Sequence, residues 1–327
     1  MPFSIERNDL ASVSADVIIV AANEDLQITG GVGKAVAQVA GFEKVQEACN
    51  AIGHCPTGSA VVTPAFNLPA QAIIHAVGPI WQGGTHNEVA SLRSTYDAAL
   101  SLAAENNASS IALPLLSAGV YGFPVDISLS VAQNAIHDFL DSHDSEIRLV
   151  LFDRSALQAG LLTYDRIKEY IDDVYVDKHS SAREKTREAD DEVIYAAALA
   201  AETLGQSPCL SELLSSLDAS FSTTLLSLID AKGMTDAQVY KRANMSRQLF
   251  SKIRSDALYK PTKKTVLALA IALELDLDAT EDLLRRAGFA LSHSNKADII
   301  VEYFITNNQF DIFEINATLY AFDQPLL

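Results

Sequence analysis

Gly30, Gly31 and Gly33, and again Gly119 and Gly122, stand where backbone amides could turn onto an anion. The first group closes the segment Asn23-Glu24-Asp25-Leu26-Gln27-Ile28-Thr29-Gly30-Gly31-Val32-Gly33, and the second lies in Ser117-Ala118-Gly119-Val120-Tyr121-Gly122-Phe123-Pro124. Each follows an apolar, strand-like run, Val17 to Ala22 and Ile111 to Leu116, and each leads toward a helical pattern. Glycine at a strand-to-helix junction frees N–H groups to converge on an anion, and the helix dipole favours negative charge there by up to ~2 kcal/mol. Two such cradles in one α/β unit suit a diphosphate. Gly30, Gly31 and Val32 are expected to serve one phosphate, and Ser117, Ala118, Gly119, Val120 and Tyr121 the other. Hydrogen bonds to charged acceptors are about twice as strong as neutral ones.

The elements that must position these loops alternate through the first half. Runs rich in Val and Ile lie near residues 17–21, 60–63, 72–77, 110–116 and 147–152, with helical patterns between them at 33–40, 88–106, 127–141 and 163–174. Alternation of this kind predicts an α/β fold with a mostly parallel sheet covered by helices. Ligands then bind at the carboxyl ends of the strands, where both glycine loops fall. A polar stretch, 177–187, breaks this rhythm. From about residue 190 the pattern is all helical: 191–204, 210–230, 235–243, 246–254, 262–274, 279–287, 296–306 and 311–321. The organisation expected is an α/β domain over 1–176, a linker and connecting helix over 177–209, and an all-α domain over 210–327.

A chain of 327 residues usually forms two domains, and a hydrophobic content of 49% is enough for two cores. No apolar run approaches the ~18 residues of a membrane span, and the start, Met1 to Arg7, lacks the pattern of a secretory signal. Cys49, Cys55 and Cys209 form no CxxC pair. These features predict a cytoplasmic, reducing setting with no membrane partner. The net charge of −18 argues against a chain that coats nucleic acid, yet residues 232–264 carry nine Lys/Arg against two acids. That local excess of +7 leaves −25 for the remainder. A basic island in an acidic chain is an electrostatic footprint, or simply a solvated helical face.

The island sits on two short helical patterns, Met234 to Ala243 and Ser246 to Arg254, separated by Asn244-Met245. Thr235 and Ser246 are good N-caps, and two short helices across a tight break make a helix-turn-helix pattern. The stretch 221–288 resembles the Cro/repressor-like helix-turn-helix family, including Pro261 before the next helix and the Leu-rich Val266 to Leu275. The resemblance implies duplex DNA as a partner, contacted by Ser246, Arg247, Gln248, Lys252 and Arg254. Repressor-like modules often pair as homodimers, although nothing in the sequence fixes a two-fold interface. The competing reading is a bundle for dimerisation or protein docking.

The first half resembles the macrodomain family. Its opening pattern Gly-Asp-Ile-Thr appears as Asn8-Asp9-Leu10-Ala11, and its Asn-Ala-Ala-Asn as Val20-Ala21-Ala22-Asn23. The Gly-Gly-Val run, Leu68-Pro69-Ala70, Ile73 to Pro79, Ser117 to Pro124 and Phe152-Asp153 follow in family order. The resemblance, over about 1–176, implies a three-layer α/β/α fold that binds ADP-ribose or an ADP-ribosylated protein or nucleic acid. On residue type alone Asp9 is a turn residue and Phe152 a core residue. The resemblance implies instead that Asp9 reads adenine, with Leu10 beside it, that Phe152 stacks on the base, and that Asn23 contacts the distal ribose.

Departures from the family bear on catalysis. One hydrolytic branch carries an Asp where this chain has Gly33, and viral-type members a His where it has Ile28. Thr29 replaces the first glycine of the run and Val20 the first asparagine. The binding apparatus is kept while the residues expected to assist hydrolysis are missing, and a positioned acid or base contributes some 10²–10⁴-fold. Removal of ADP-ribose, or deacetylation of O-acetyl-ADP-ribose, with Asn23 as the orienting residue, stays the alternative to a pure binding role. No cofactor and no metal are expected. Gly31-Val32-Gly33-Lys34 imitates the end of a Walker A loop, but Ala35 replaces its Ser/Thr. Cys49, His54 and Cys55 lack a second ligand pair for zinc, and His75 reads as a core histidine.

Overall fold

The computed structural model describes residues 2–151, 167, 168, 170, 171 and 219–327. The expected helix at 163–174, the 177–209 linker and the helices expected before residue 219 therefore lie largely or wholly outside the described residues, as does Phe152. Two compact units emerge. One gathers Met1–Tyr164, Tyr240–Ser246 and Asn316–Leu326, and the other Asp165–Val239, Arg247–Ile315 and Leu327.

The described residues of the first unit form six strands: β1 (Phe3–Arg7), β2 (Val17–Ala22), β3 (Ser59–Pro64), β4 (Ala72–Val77), β5 (Ser110–Pro114) and β6 (Glu146–Leu151). Their order is β1-β6-β5-β2-β4-β3. Every pairing is parallel except β3 with β4. Parallel sheets are covered on both faces, so their strands read as continuous apolar runs. All six residues of β4 are buried, and Val17, Ile18, Ile19 and Val20 of β2 are at most 2% exposed.

Among the described residues, the helices that connect these strands are α1 (Gly31–Ala40), α2 (Phe42–Ile52), α3 (Glu88–Glu105) and α4 (Val125–Ser142). Side chains alternate across a strand, so Ile18 and Val20 join Val36, Ala37, Ala40, Val45 and Cys49 of α1 and α2 in one core. On α3, Leu92, Tyr96, Ala99, Leu100 and Ala103 recur at three- and four-residue spacing and are all buried, the stripe of a helix lying on a core.

The strand order places the ligand crevice. β2 and β5 are neighbours, but the chain leaves β2 toward β3 at one edge and leaves β5 toward β6 on the other side. This is a topological switch point, where open α/β sheets bind ligands. The β2–β5 ladder is registered only at Val17↔Ile111 and Ile18↔Ala112, whereas β2 pairs with β4 along all six residues. The two strands therefore part toward their carboxyl ends, the ends that carry the glycine loops.

Two elements were not anticipated from the sequence, β1 and α2. β1 is an edge strand of five residues whose outer edge receives Asn244, a residue of the same unit. The buried Asn244 side chain accepts from Phe3 N at 3.0 Å and donates to Phe3 O at 2.9 Å. A side chain that pairs with an edge strand in this way blunts its open row of hydrogen-bonding groups.

Beyond residue 218 the described chain is helical: α5 (Phe221–Lys232), α6 (Asp236–Arg242), α7 (Arg247–Ser255), α8 (Lys263–Ala272), α9 (Leu277–Arg286), α10 (Lys296–Thr306) and α11 (Ile312–Ala321). Side-chain caps begin several of them. Ser220 accepts from Thr223 N, Thr262 from Thr265 N, Asp276 from Ala279 N and Asn295 from Ala297 N. Leu225, Ile229, Val239, Phe250, Ile253, Val266, Leu283 and Leu284 supply buried side chains to the second unit. No described helix is long and apolar enough to cross a membrane.

Candidate functional site

A cavity of about 470 Å³ opens at the carboxyl ends of β2 and β5, within the roughly 300–1,000 Å³ of small-molecule sites. Its lining runs through residues 20–23, 26–33, 114–117 and 119–121, with His75 and Gly78. Both glycine loops thus face one space. Of the residues expected at the site, Asn23, Gly30, Gly31, Val32, Ser117, Gly119, Val120 and Tyr121 line it; Asp9, Leu10 and Ala118 do not.

The first loop delivers the N-terminus of α1. Gly31 has φ 63°, a left-handed conformation that favours glycine, and no side chain caps the helix start. The first turn holds no acidic residue, so its unsatisfied amides have no carboxylate of their own to bind. Gly33 is closely fitted, since a Cβ there would lie 3.1 Å from Ala21 O. An Asp at that position would crowd the strand end.

Carboxamides hold the approach to this loop. Asn23 donates from Nδ2 to Gln27 O and accepts at Oδ1 from Gln27 N, both at 2.9 Å. Gln46 of α2 accepts from Ile28 N at 3.0 Å and donates to Leu26 O at 3.3 Å and to Asn50 Oδ1 at 2.9 Å. Asn23 is thus the brace of its own turn as well as a wall of the cavity. Gln46 escaped the sequence reading because what it grips in this loop, Ile28 N and Leu26 O, are backbone atoms, which leave no residue-type signal.

The second loop is pinned at its base. Leu116 N donates to Tyr96 Oη at 2.8 Å, and Ser128 Oγ donates to Leu116 O at 2.8 Å. Gly122 N and Phe123 N fold back onto Gly119 O and Ser117 O. Among the described residues, the amides of Gly119, Val120 and Tyr121 have no acceptor, as an anion cradle requires. Ser117 adopts φ 60° with its hydroxyl buried and unpartnered. Its Oγ fills the room beside Gly78, where an added Cβ would meet it at 2.3 Å.

Among the described residues, burial holds His75, Cys49 and Cys55, in and beside the cavity, in their neutral forms. Burial pushes the His75 imidazole down to about 4, so it is neutral near pH 7, with Nε2 2.9 Å from Thr63 Oγ1. Burial raises the Cys49 thiol, and burial together with the Glu24 carboxylate raises that of Cys55. Neither is a thiolate nucleophile. Among the described residues no group of three His, Cys, Asp or Glu side chains could hold a metal.

Asp9 caps a 3-10 turn, accepting at Oδ1 from Ala11 N at 3.0 Å, and is exposed. Leu10 beside it is buried. In the helical half, Ser246, Arg247, Gln248, Lys252 and Arg254 are all exposed, and Arg254 is ion-paired with Asp236.

Comparison with known proteins relates the N-terminal half to macro domains. The family model described as Macro domain matches residues 19–132. A macro domain-containing protein of Listeria monocytogenes is 44% identical over 165 residues, covering 48% of this chain and 94% of that protein. An O-acetyl-ADP-ribose deacetylase of Escherichia fergusonii is 43% identical over 165 residues, 48% of this chain and 93% of its own length. The solved Oceanobacillus iheyensis macrodomain with ADP is 32% identical, covers 46% of this chain and 84% of its own, and superposes with a TM-score of 0.44. Through its N-terminal half, the chain belongs to the macrodomain family.

Proposed function

We propose that this protein binds ADP-ribose, free or attached to a protein or nucleic acid, and couples that binding to DNA through a helix-turn-helix formed by α6 and α7. The observation that carries the first part is the convergence of two glycine loops on a single cavity at the switch point between β2 and β5. Amides that have no acceptor among the described residues, on both sides of that space, favour a diphosphate, and the family relationship favours the ADP-ribose form of one.

The DNA part rests on the short α6–α7 pair and its exposed Arg247, Gln248 and Lys252. A second reading, hydrolysis or deacetylation, is favoured by the deacetylase name of the Escherichia fergusonii relative. Gly33, Ile28 and the neutral His75 weigh against it, because none of them offers a positioned acid or base at neutral pH.

Calorimetric titration with ADP-ribose tests the binding. A micromolar Kd, about −8 kcal/mol, is expected with much weaker ATP binding, and no heat at high micromolar ligand would overturn it. Incubation with a mono-ADP-ribosylated protein separates reader from enzyme. The modification should persist, and turnover that vanishes in Asn23→Ala would establish the second reading instead.

A further inference from the structure

We infer that Glu88 is a positioning residue of the second anion cradle, acting through the 80–87 loop and Trp81 on Tyr121 and Phe123. Glu88 opens α3 and is only 3% exposed. Its Oε1 accepts from Gln82 N and Gly84 N, each at 3.1 Å, and its Oε2 from His86 N at 2.6 Å. One carboxylate thereby gathers three amides of a loop that has no regular structure of its own. Burial alone would raise its pKa, but the amides of Glu88 itself, His86, Gln82 and Gly84 outweigh that and hold it below the usual value. The group is ionised at neutral pH, at the end of α3 where the dipole favours an anion.

What this loop holds in turn is the cradle. Trp81 N donates to Tyr121 O at 2.9 Å, and the Trp81 ring lies 4.6 Å from that of Phe123, centroid to centroid. Gly84 is shaped around the same ring: at φ 81°, an added Cβ would stand 2.9 Å from Trp81 Cη2. The carbonyl of Tyr121 and the ring of Phe123 are thus fixed from outside, while Tyr96 and Ser128 fix the loop's base. An amide that must point at a phosphate gains from such prior ordering, because ordering on binding subtracts from affinity.

Replacing the carboxylate by a carboxamide keeps the shape but exchanges an acceptor for a donor. At least one of the three amides then loses its partner and faces an N–H group. The role rests on the ADP-ribose reading, so the test has one readout with ligand and one without.

Glu88→Gln and wild type are compared by ADP-ribose calorimetry and, ligand-free, by hydrogen exchange at Gly122 and Phe123. Emission of Trp81, the only tryptophan, is recorded alongside. Expected are a Kd weakened about ten-fold, faster exchange at both amides and a red-shifted emission. Leu100→Val, in the buried face of the same helix, should lower the thermal midpoint while leaving Kd unchanged, which separates positioning from general destabilisation. Unchanged affinity and exchange in a folded Glu88→Gln protein would overturn the role. Should that variant not fold, Gly84→Ala displaces Trp81 with the carboxylate intact, and unaltered affinity and exchange there would overturn it equally. If wild type binds no ADP-ribose, the ligand reading falls and the exchange rates alone decide the positioning role.

Discussion

Single side chains in this cavity serve the fold at least as much as the ligand. Asn23 lines the space, yet both ends of its carboxamide bond Gln27 of its own turn. His75 lines the same space, yet it is buried, neutral and held by Thr63. Which of these roles a residue plays could be read only in part from its neighbours in sequence. The glycine loops were legible as strand-to-helix junctions; of their glycines, Gly31 and Gly122 have φ above zero, which favours glycine without requiring it, since Ser117 also reaches φ 60°. The braces Gln46 and Glu88 were not, because they grip backbone amides that every residue carries. His75 gives the prediction proper to this scale. Its folded pKa is depressed from about 6.5 to about 4, so the unfolded chain takes up its proton first as pH falls. The His75 contribution to stability is therefore fully present above pH 6.5 and is lost on descending through the window to about pH 4. The loss should reach roughly 3 kcal/mol, at 1.36 kcal/mol per pKa unit. Urea unfolding across this range should show that increment in wild type and not in His75→Gln; equal slopes would place the titration elsewhere.

Among the elements, what could be read depended on how strongly tertiary packing agreed with local pattern. β2, β4, β5 and β6 are mostly apolar and mostly buried, and polar segments bound them, so they announce themselves. β1 is short, ends in Glu6-Arg7 and lies at the sheet edge, where half its pattern is solvent-facing. α2 buries only Val45 and Cys49, one i,i+4 pair, too narrow a stripe to stand out among its charged neighbours. No propensity could reveal that β2 and β5 lie side by side, since strand order is set by crossover topology rather than by composition. The helical half was more transparent: α6 to α11 begin and end within a few residues of expectation because caps and breaks there are local chemistry. Asp276 is a direct case, accepting from Ala279 N at 2.9 Å at the start of α9. Asp276→Ala should destabilise the protein by about 1 kcal/mol. A lowered thermal midpoint would be seen, rescued largely by Asp276→Ser, which keeps an acceptor at the cap; an Asp276→Ala protein as stable as wild type would deny the cap its role.

At the scale of the whole chain the dominant physical fact is an uneven charge. The total is −18, but residues 232–264 carry an excess of +7 against −25 elsewhere. A uniformly acidic protein would be repelled by a polyanion. Here the basic residues fall on and around α6 and α7, where Arg247 and Lys252 are exposed, while the remaining acid disfavours indiscriminate adhesion. Association with duplex DNA should therefore be local and steeply dependent on salt. Each phosphate neutralised contributes about −0.9 to the slope of log K against log salt concentration. Arg247→Glu with Lys252→Glu should weaken binding at low salt and reduce that slope by about 2, one for each contact removed. Fluorescence anisotropy with random duplex across a salt series measures both quantities. Absence of any association at low salt would leave the α6–α7 pair as a protein-docking or packing element, and binding that survives the double reversal with its slope intact would locate the polyanion on a different surface. ADP-ribose added to the same titration then asks whether the two halves communicate. If they do, saturating ligand shifts the DNA affinity by some factor, and by linkage DNA must shift the ADP-ribose affinity by the same factor. That equality can be checked in both directions with one protein preparation.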